Sequence, residues 1–370
     1  MKKWNKFLLV LLLCVIAGCG RQNNEGENKD KISTKPIDED GYRIAIPFTS
    51  SDATQTHVEY NRGSYDIEAI GKGLQRYSKQ YFSTNSYYLQ DGQLLKHDDL
   101  VSTLNNREAL LGRKSKENAF GLNPEKGSTI PISSDQDIKV GSSTITVSDV
   151  IEYDFFTDLN ENAEIQGVAF AIVLNSTITD ADGKEHTIAD EQLKIIGEEA
   201  GRNLMTYIKD LPEINANTPV MIALFNASSE DANLPGTFFA KAYGKSNIDS
   251  FEKINEKWVM IPSDTASEID PQLSANFADL KDSLFGFLPN DIAVIGKGFF
   301  VDDRIDELEI IVTTQGKTQI QNEAVVQYVK EQLGILSEGF KITVNINANT
   351  TTFAMLQRGK NSNDVMVIMK

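Results

Sequence analysis

Residues Gly167 to Leu174 read GVAFAIVL, an apolar run without a single polar side chain. A strand with one face in water alternates apolar and polar residues, whereas a strand covered on both faces is apolar throughout. The run therefore predicts a strand buried on both faces. Predicted strands and helices interleave around it, so we expect an α/β (α+β) fold.

Two stretches of the C-terminal part follow the same order of strand, helix, strand, loop and strand, over residues 166–243 and 294–369. Each contains one long predicted helix whose apolar stripe is expected to face a sheet. The stripes are Leu193, Ile196 and Leu204 in the helix over 190–211, and Val325, Val329 and Leu333 in the helix over 323–333. Because the two stretches share little sequence identity, both a duplication and two independent α/β units remain open.

A smaller, mainly helical N-terminal region over residues 42–143 is predicted to precede the two repeats. Its first strand ends at Pro47, and apolar residues recur at helical spacing from Ile67 to Tyr81. Residues 118–143 are poor in large apolar side chains and rich in Gly, Pro, Ser and Asn. This composition indicates a seam between the N-terminal region and the larger C-terminal part. We place the first α/β repeat at 144–260 and the second at 261–370.

The N-terminus has the three parts of a secretory signal peptide. Lysines at positions 2, 3 and 6 precede an apolar run from Phe7 to Ala17, and small residues follow. The run is about 16 Å long as a helix, while a bilayer core of about 30 Å needs some 20 residues. A stable transmembrane span is therefore not expected, and residues 1–18 are predicted to be removed.

The segment Ile16-Ala17-Gly18-Cys19 matches the lipobox of bacterial lipoproteins, which is an aliphatic residue, two small residues and cysteine. Only a cysteine thiol can take a diacylglycerol through a thioether bond, and small residues let the peptidase reach the bond between Gly18 and Cys19. We expect lipid attachment at Cys19 by lipoprotein diacylglyceryl transferase, followed by cleavage by the lipoprotein signal peptidase. A plain signal peptide cut elsewhere is the alternative.

The chain has two cysteines, Cys14 and Cys19, and only Cys19 remains after this cleavage. No disulfide is then possible within the mature chain. Residues 19–41 comprise Cys19 and a polar segment with only two aliphatic residues, Ile32 and Ile37. Such a segment buries too little surface to offset the entropy of ordering it, so we expect a disordered tether.

The charge of the chain excludes one class of partner. The net charge is −17, and removal of the three signal-peptide lysines leaves 33 basic against 53 acidic residues, or −20. Binding to phosphate backbones depends on lysine and arginine, so nucleic acid is not an expected partner. The membrane is expected to hold the protein through acyl chains on Cys19 rather than through surface charge.

Motifs for cofactors and metals are incomplete. The pairs in Gly71-Lys72-Gly73 and Gly296-Lys297-Gly298 lack the third glycine of a dinucleotide fingerprint. Asp180-Ala181-Asp182-Gly183 lacks the first and last ligands of a calcium loop and is predicted to be an Asx-type turn. The acidic run from Asp302 to Glu307 is predicted to be a solvated turn between two strands.

Nothing in the sequence identifies an enzyme. His57, His97 and His186 are scattered, and the chain has neither an HExxH motif nor a GxSxG elbow. We therefore predict no catalytic residue, no metal and no cofactor. A buried carboxylate pair or a Ser-His contact in the cleft between the two repeats would be the structural sign of an enzyme that the sequence does not reveal.

Several short motifs resemble the CamS-type sex-pheromone precursor lipoproteins of Gram-positive bacteria, in order and along essentially the whole chain. They are Gln90-Asp91-Gly92-Gln93, Gly121-Leu122-Asn123-Pro124, Ile222-Ala223-Leu224-Phe225, Pro235-Gly236 with Phe239-Ala240, Ile254-Asn255-Glu256-Lys257, and Val294-Ile295-Gly296-Lys297-Gly298-Phe299. The resemblance implies two related α/β repeats in the C-terminal part.

The resemblance also implies a function for the discarded segment. In this family the last residues of the signal peptide can be trimmed and released as a short hydrophobic peptide that induces plasmid transfer. The matching residues here are Leu12, Leu13, Cys14, Val15, Ile16, Ala17 and Gly18. A peptide receptor would then be a partner of the released fragment, and an inert remnant of the signal peptide is the alternative.

The folded body is expected on the extracytoplasmic face of the cell membrane, and two further functional classes stay open for it. One is a binding lipoprotein with a cleft between the repeats for a solute, a peptide or a wall fragment. The other is a hydrolase whose site is assembled from distant residues.

Overall fold

The computed structural model describes residues 32–36, 40–61, 65–101, 109–160, 162–229, 231, 233–288 and 292–370. Within these ranges the helices are α1 (Thr54–Asn61), α2 (Ile67–Ser78), α3 (His97–Leu100), α4 (Asp190–Lys209), α5 (Asp264–Ile269), α6 (Pro271–Phe287) and α7 (Gln319–Gln332), with a 3-10 turn over Leu333–Ile335.

The strands of the same ranges fall into two large sheets and two small hairpins. They are β1 (Ile32–Ser33), β2 (Arg43–Ile46), β3 (Tyr88–Asp91), β4 (Thr129–Pro131), β5 (Asp137–Lys139), β6 (Val147–Phe156), β7 (Gly167–Leu174), β8 (Thr177–Thr179), β9 (Glu185–Thr187), β10 (Val220–Asn226), β11 (Thr237–Gly244), β12 (Glu252–Lys253), β13 (Glu256–Ile261), β14 (Ile292–Val301), β15 (Arg304–Thr314), β16 (Lys341–Ala348), β17 (Thr351–Arg358) and β18 (Val365–Met369).

The first large sheet is built around β7. Its order is β1-β2-β3-β6-β7-β10-β11-β12, and β7 pairs antiparallel with β6 and parallel with β10. Every residue of β7 is buried, which confirms the prediction from the apolar run. Phe170 and its neighbours on one face pack in the core that contains α4, and Ala171 and its neighbours on the other face pack in the core that contains α2.

The second large sheet has the order β13-β14-β15-β16-β17-β18 and is covered on one face. That face packs against α6 and α7, with Phe277 of α6 and Val325 of α7 fully buried. The opposite face carries half-exposed side chains such as Glu309 and Asn345. The predicted helix stripes are also confirmed, since Leu193, Leu204, Val325, Val329 and Leu333 are buried and Ile196 packs partly buried against the first core.

The two sheets contain the same four-strand arrangement. In β6-β7-β10-β11 and in β14-β15-β16-β17 the inner pair is parallel and the outer pairs are antiparallel. Helix α4 connects the inner pair of the first sheet, and helix α7 connects that of the second. The mixed α/β fold is thus as predicted. Descent of the two units from one duplicated segment remains a prediction.

Two sequence-based expectations are corrected at the N-terminal end. Ile32 and Ser33, placed in the disordered tether, form β1, because they pair antiparallel with Ile46 and Ala45 of β2. The region over 42–143 contains α1, α2 and α3, as its predicted helical character requires, but it is not separate from the first repeat, since β3 pairs antiparallel with β6 and joins β2 to the first sheet. The segment over 118–143, predicted to be a seam, contains the hairpin β4-β5.

Helix α2 approaches the first sheet closely through glycine. A Cβ atom on Gly73 would lie 2.2 Å from a ring atom of Phe238, which is itself buried on β11. No real Cβ contact is this short, so the ring or the helix would have to move. The paired glycines of Gly71-Lys72-Gly73 therefore serve helix packing.

We expect Gly73→Ala to lower the free energy of unfolding by about 1–3 kcal/mol, because overpacking forces side chains off their rotamers. Gly286→Ala is the matched control on α6, where a Cβ would meet nothing within 4 Å. Alanine there should raise stability by up to about 1 kcal/mol through helix propensity. Urea unfolding of both variants measures this, and equal effects would contradict the packing role of Gly73.

Candidate functional site

The residues that the sequence singles out most strongly lie outside the described residues. These are the lipid-attachment residue Cys19, the cleavage position at Gly18 and Cys19, and the peptide segment from Leu12 to Gly18. The geometry of the described body therefore bears on a different question, which is whether it holds a site of its own.

A buried pair of carboxyl groups lies on β6. Glu152 is 5% exposed and Asp154 is fully buried. Glu152 accepts hydrogen bonds from the backbone N–H groups of Leu94 and Leu95 at 2.8 Å, and Asp154 accepts one from Gln93 N–H at 2.8 Å. The pair therefore holds the turn that follows β3.

This turn is the Gln90-Asp91-Gly92-Gln93 motif. A Cβ atom on Gly92 would lie 2.6 Å from the Cβ atom of Glu152, so the backbone can approach the carboxyl group only with glycine at this position. Asp91 closes the other side of the turn by accepting a hydrogen bond from Ser51 N–H at 2.8 Å. The motif is explained by the turn and the buried pair together.

The two carboxyl groups of the pair both have raised pKa values. Burial and the neighbouring Glu152 carboxylate raise the pKa of Asp154 well above its ordinary value of 3.8. Burial also raises the pKa of Glu152, although the hydrogen bonds that Glu152 accepts from Asp154 and from the backbone act to lower it. The Oδ1 atom of Asp154 is buried and has no hydrogen-bond partner among the described residues, so a negative charge on this group would be poorly stabilised. Asp154 is therefore the neutral member of the pair.

Sequence reasoning missed this pair. Glu152 and Asp154 are two residues apart on a largely buried strand, so they point to the same face of the sheet. Acidic residues at such spacing inside a buried strand are rarely tolerated without partners, and that pattern was the available signal. The partners on the turn come from a distant part of the chain.

Two of the three histidines lie next to the first sheet. The Nδ1 atom of His57 lies 2.8 Å from Oδ2 of Asp149, and the hydroxyl of Tyr65 donates to the same oxygen at 2.5 Å. Asp149 is fully buried. The pKa of Tyr65 is raised mainly by the burial of its hydroxyl and secondly by the charge of Asp149. This cluster ties α1 and the start of α2 to β6.

The second histidine, His97, contacts a hydroxyl. Its Nδ1 atom lies 2.7 Å from Oγ1 of Thr56, and its backbone N–H donates to Asp52 at 3.1 Å. A histidine next to a hydroxyl is the arrangement of a nucleophile and a base. Thr56, however, is fully buried, so its hydroxyl does not face a substrate from solvent.

His186 belongs to the predicted Asx-type turn. Asp180 Oδ1 accepts hydrogen bonds from the backbone N–H groups of Asp182 and Lys184, each at 2.9 Å, which confirms the turn. Asp180 Oδ2 lies 2.7 Å from Nε2 of His186, and this contact lowers the pKa of Asp180. Within the described ranges, no three potential ligand residues are grouped closely enough to hold a metal ion.

The junction between the two sheets centres on Glu256, at the start of β13. Its carboxylate lies 2.5 Å from Nη1 of Arg76, accepts a hydrogen bond from Tyr77 and accepts another from Phe238 N–H at 3.1 Å. Its side chain is 2% exposed, and burial raises its pKa. Arg76 also lies over the ring of Phe299 at 4.6 Å. An ion pair between the buried Glu256 carboxylate and the half-exposed Arg76, together with an aromatic contact, thus occupies the junction where a cleft between the repeats was predicted.

Two surface grooves on the second sheet unit have volumes of about 490 and 400 Å³. The larger lies between α7 and β18 and is lined by Glu323, Val326, Lys330, Val367 and Met369 among others. Neither groove is lined by an aromatic residue, and both lie away from the junction at Glu256. Of the described helices, none has both the length and the apolarity to span a bilayer.

These features define an α/β protein whose buried polar groups are engaged in holding turns, helices and sheets together. The chain matches the family described as "CamS sex pheromone cAM373 precursor" over residues 48–364. It therefore belongs to the CamS family, a family of pheromone precursors and not of a known enzyme class. The resemblance seen in the sequence motifs is confirmed.

Solved structures share the fold. A sex pheromone precursor from Lactobacillus salivarius subsp. salivarius UCC118 is 23% identical, with a TM-score of 0.75 over 91% of this chain and 98% of that chain. The C-terminal domain of the sex pheromone staph-cAM373 precursor from Staphylococcus aureus is 24% identical, with a TM-score of 0.64 over 84% of this chain and 96% of that domain. No curated protein matches the chain significantly.

The raised pKa of Asp154 predicts how the stability of the fold depends on pH. Because the folded pKa of Asp154 is raised, the folded protein holds a proton that the unfolded chain releases above its ordinary pKa of 3.8. Stability should therefore fall as the pH rises from that value towards the folded pKa. Asp154→Asn keeps an acceptor for Gln93 N–H and supplies a permanent donor to Glu152, so it should flatten this slope.

Urea unfolding of the parent and of Asp154→Asn between pH 5 and 9 measures the difference. Asp180→Asn is the control, because the pKa of Asp180 is lowered rather than raised. A slope that Asp154→Asn leaves unchanged would show that Asp154 carries no proton in the folded state.

The junction gives a second test. Glu256→Ala leaves Phe238 N–H and the Tyr77 hydroxyl without their acceptor, at about 1–3 kcal/mol each, so we expect a loss of about 2–4 kcal/mol. Asp303→Ala removes the exposed pair with Lys257 and should cost far less, because solvent screens an exposed ion pair. Differential scanning calorimetry should also show the melting transition of Glu256→Ala broaden or split. Equal losses in the two variants would refute the role of Glu256.

Proposed function

We propose that this chain is a lipid-anchored pheromone precursor of the extracytoplasmic membrane face, and that its signal peptide is the source of a secreted peptide. Membership of the CamS family is the observation that carries the proposal. The lipobox Ile16-Ala17-Gly18-Cys19 supports it independently, because it supplies the residue types that lipid transfer and cleavage require.

The proposed anchor is a diacylglycerol on Cys19. The transferase forms a thioether between the Cys19 sulfur and the diacylglyceryl carbon of a phospholipid, whose carbon–oxygen bond to the phosphate headgroup breaks as that headgroup leaves with the thiol proton. The signal peptidase then hydrolyses the peptide bond between Gly18 and Cys19. Each buried methylene of the acyl chains contributes about 0.8 kcal/mol to membrane binding, and two chains give stable anchoring. The negative net charge of the body keeps it from adhering to an anionic surface by itself.

The proposed signal is the segment Leu12 to Gly18, LLCVIAG. It carries no charged side chain, so it can partition into a membrane and fill an apolar receptor groove. The activity proposed for it is induction of plasmid conjugation through a peptide receptor in the responding cell. Cys14 distinguishes this peptide chemically, because a thiol is polarizable and open to oxidation.

The body is proposed to have no catalytic role. Glu152, Asp154 and Thr56 were the groups that could have indicated an enzyme, and all three are buried and hydrogen-bonded within the fold. A solute-binding role is the alternative, and the shallow grooves of the second unit offer it no aromatic lining.

Mass spectrometry tests both parts of the proposal. The membrane form should begin at Cys19 and carry the mass of a diacylglyceryl group, and Cys19→Ala should leave an unlipidated chain that retains residues 1–18. Recovery of unmodified full-length protein from wild-type cells would refute the anchor.

The culture supernatant should contain a peptide from the segment Leu12 to Gly18, and that peptide, once synthesised, should induce conjugation. Cys14→Ser is the matched control, since it changes the peptide mass by one sulfur-for-oxygen exchange and leaves the lipobox intact. A supernatant that lacks any peptide from this segment, or an inactive synthetic peptide, would refute the proposed signal.

A further inference from the structure

The strand β18 is an exposed apolar edge of the second sheet. It is the last strand in the order of that sheet, and its five residues, VMVIM, are all apolar. Met366, Ile368 and Met369 are 54%, 47% and 45% exposed. Proteins commonly protect a free edge with charged residues, proline or a bulge, and β18 contains none of these between Asp364 and Lys370.

No described strand pairs with the outward edge of β18, so its backbone hydrogen-bonding groups are available there in a defined pattern. Lys370 N–H donates to Phe353 of β17 at 3.0 Å, and the antiparallel register continues from Met369 opposite Ala354. Residues of an antiparallel strand alternate between those bonded to the neighbour and those directed away from it. The backbone groups of Val365, Val367 and Met369 therefore point away from β17.

We infer that β18 pairs antiparallel with β18 of a second copy of this chain, about a twofold axis at Val367. In this register Val367 lies opposite Val367, and Val365 lies opposite Met369 of the second copy. The outward-directed residues of one strand then meet those of the other, so each exchanges both backbone hydrogen bonds. Side chains of the same face also meet, because the register pairs odd positions with odd positions.

Charge complementarity identifies a second copy as the occupant. In the same register Asp364 of each chain lies opposite Lys370 of the other, so the segment DVMVIMK is self-complementary. A net charge of −17 would oppose the approach of two copies, but at physiological ionic strength charges further apart than about 8 Å are largely screened. The local segment is neutral, and like charges do not meet across the proposed axis.

The groove beside β18 also has apolar residues flanked by an acidic and a basic side chain. Val367 and Met369 line it from the strand, and Val326 lines it from α7. Glu323 and Lys330 lie on either side of Val326 along this helix and also line the groove. A twofold axis at Val367 would reverse the order of Glu323 and Lys330 in the second copy relative to the first. Apolar side chains of the second copy would cover the groove between these charges.

Cysteine crosslinking in cells that produce the full chain tests the pairing. Val367→Cys places two thiols opposite each other at a Cα separation of about 5.5 Å, within the range of a disulfide. Val365→Cys is the matched control on the same face of the strand, where the two copies of the residue would be roughly 14 Å apart. After mild oxidation we expect about tenfold more disulfide-linked dimer from Val367→Cys, because only its thiols are within reach.

A charge exchange tests the register. Asp364→Lys in the Val367→Cys background should reduce the dimer severalfold by placing two lysines opposite each other, and adding Lys370→Asp should restore it. The parent chain is the background control, because any crosslink through Cys14 or Cys19 would also form in it. Equal crosslinking at 365 and 367, no dimer at either, no rescue by the exchange, or a disulfide to a different protein would each overturn the inference.

Discussion

Burial of β7 on both faces is the constraint on which the first unit depends. A strand without polar side chains must be covered by other elements on each side, and α4 and α2 provide the two covers. The glycine at position 73 lets α2 come close enough to do so, since any Cβ there would overlap Phe238. The second sheet lacks such a central strand, and accordingly only one of its faces is covered by helices.

The buried polar groups follow from this arrangement. Glu152 and Asp154 lie on β6, beside β7, where water is excluded and each carboxyl group needs partners from the protein. The turn after β3 supplies backbone N–H groups to them, and Arg76, Tyr77 and Phe238 supply donors to Glu256 in the same way. These groups specify how segments distant in sequence meet, and this explains why chemically suggestive residues occur without an open site.

Much of the fold could be predicted from the sequence, because the signals involved are local. The apolar run of β7 and the stripes of α4 and α7 each require only neighbouring residues to be read. Elements whose partners are distant could not be predicted. The short strand at Ile32 depends on Ile46, and the joining of β3 to the first sheet depends on β6.

The same distinction applies to the candidate site. Cys19 and its lipobox are readable as a contiguous motif, whereas the contact of Thr56 with His97 and that of His57 with Asp149 join residues far apart in the chain. Incomplete motifs were informative in another way. Asp180-Ala181-Asp182-Gly183 lacked calcium ligands at its ends, and the structure forms the turn that this pattern predicted.

The central claim is that the signal function belongs to the N-terminal segment and the folded body is not needed to produce it. The most direct measurement is the peptide content of the supernatant from cells making residues 1–41 fused to an unrelated secreted domain. Our account predicts a released peptide from the segment Leu12 to Gly18 with the same mass and the same activity in a conjugation assay as that from the full chain. Loss of the peptide from the fusion, with its lipidation at Cys19 intact, would contradict the account and assign the body a part in processing.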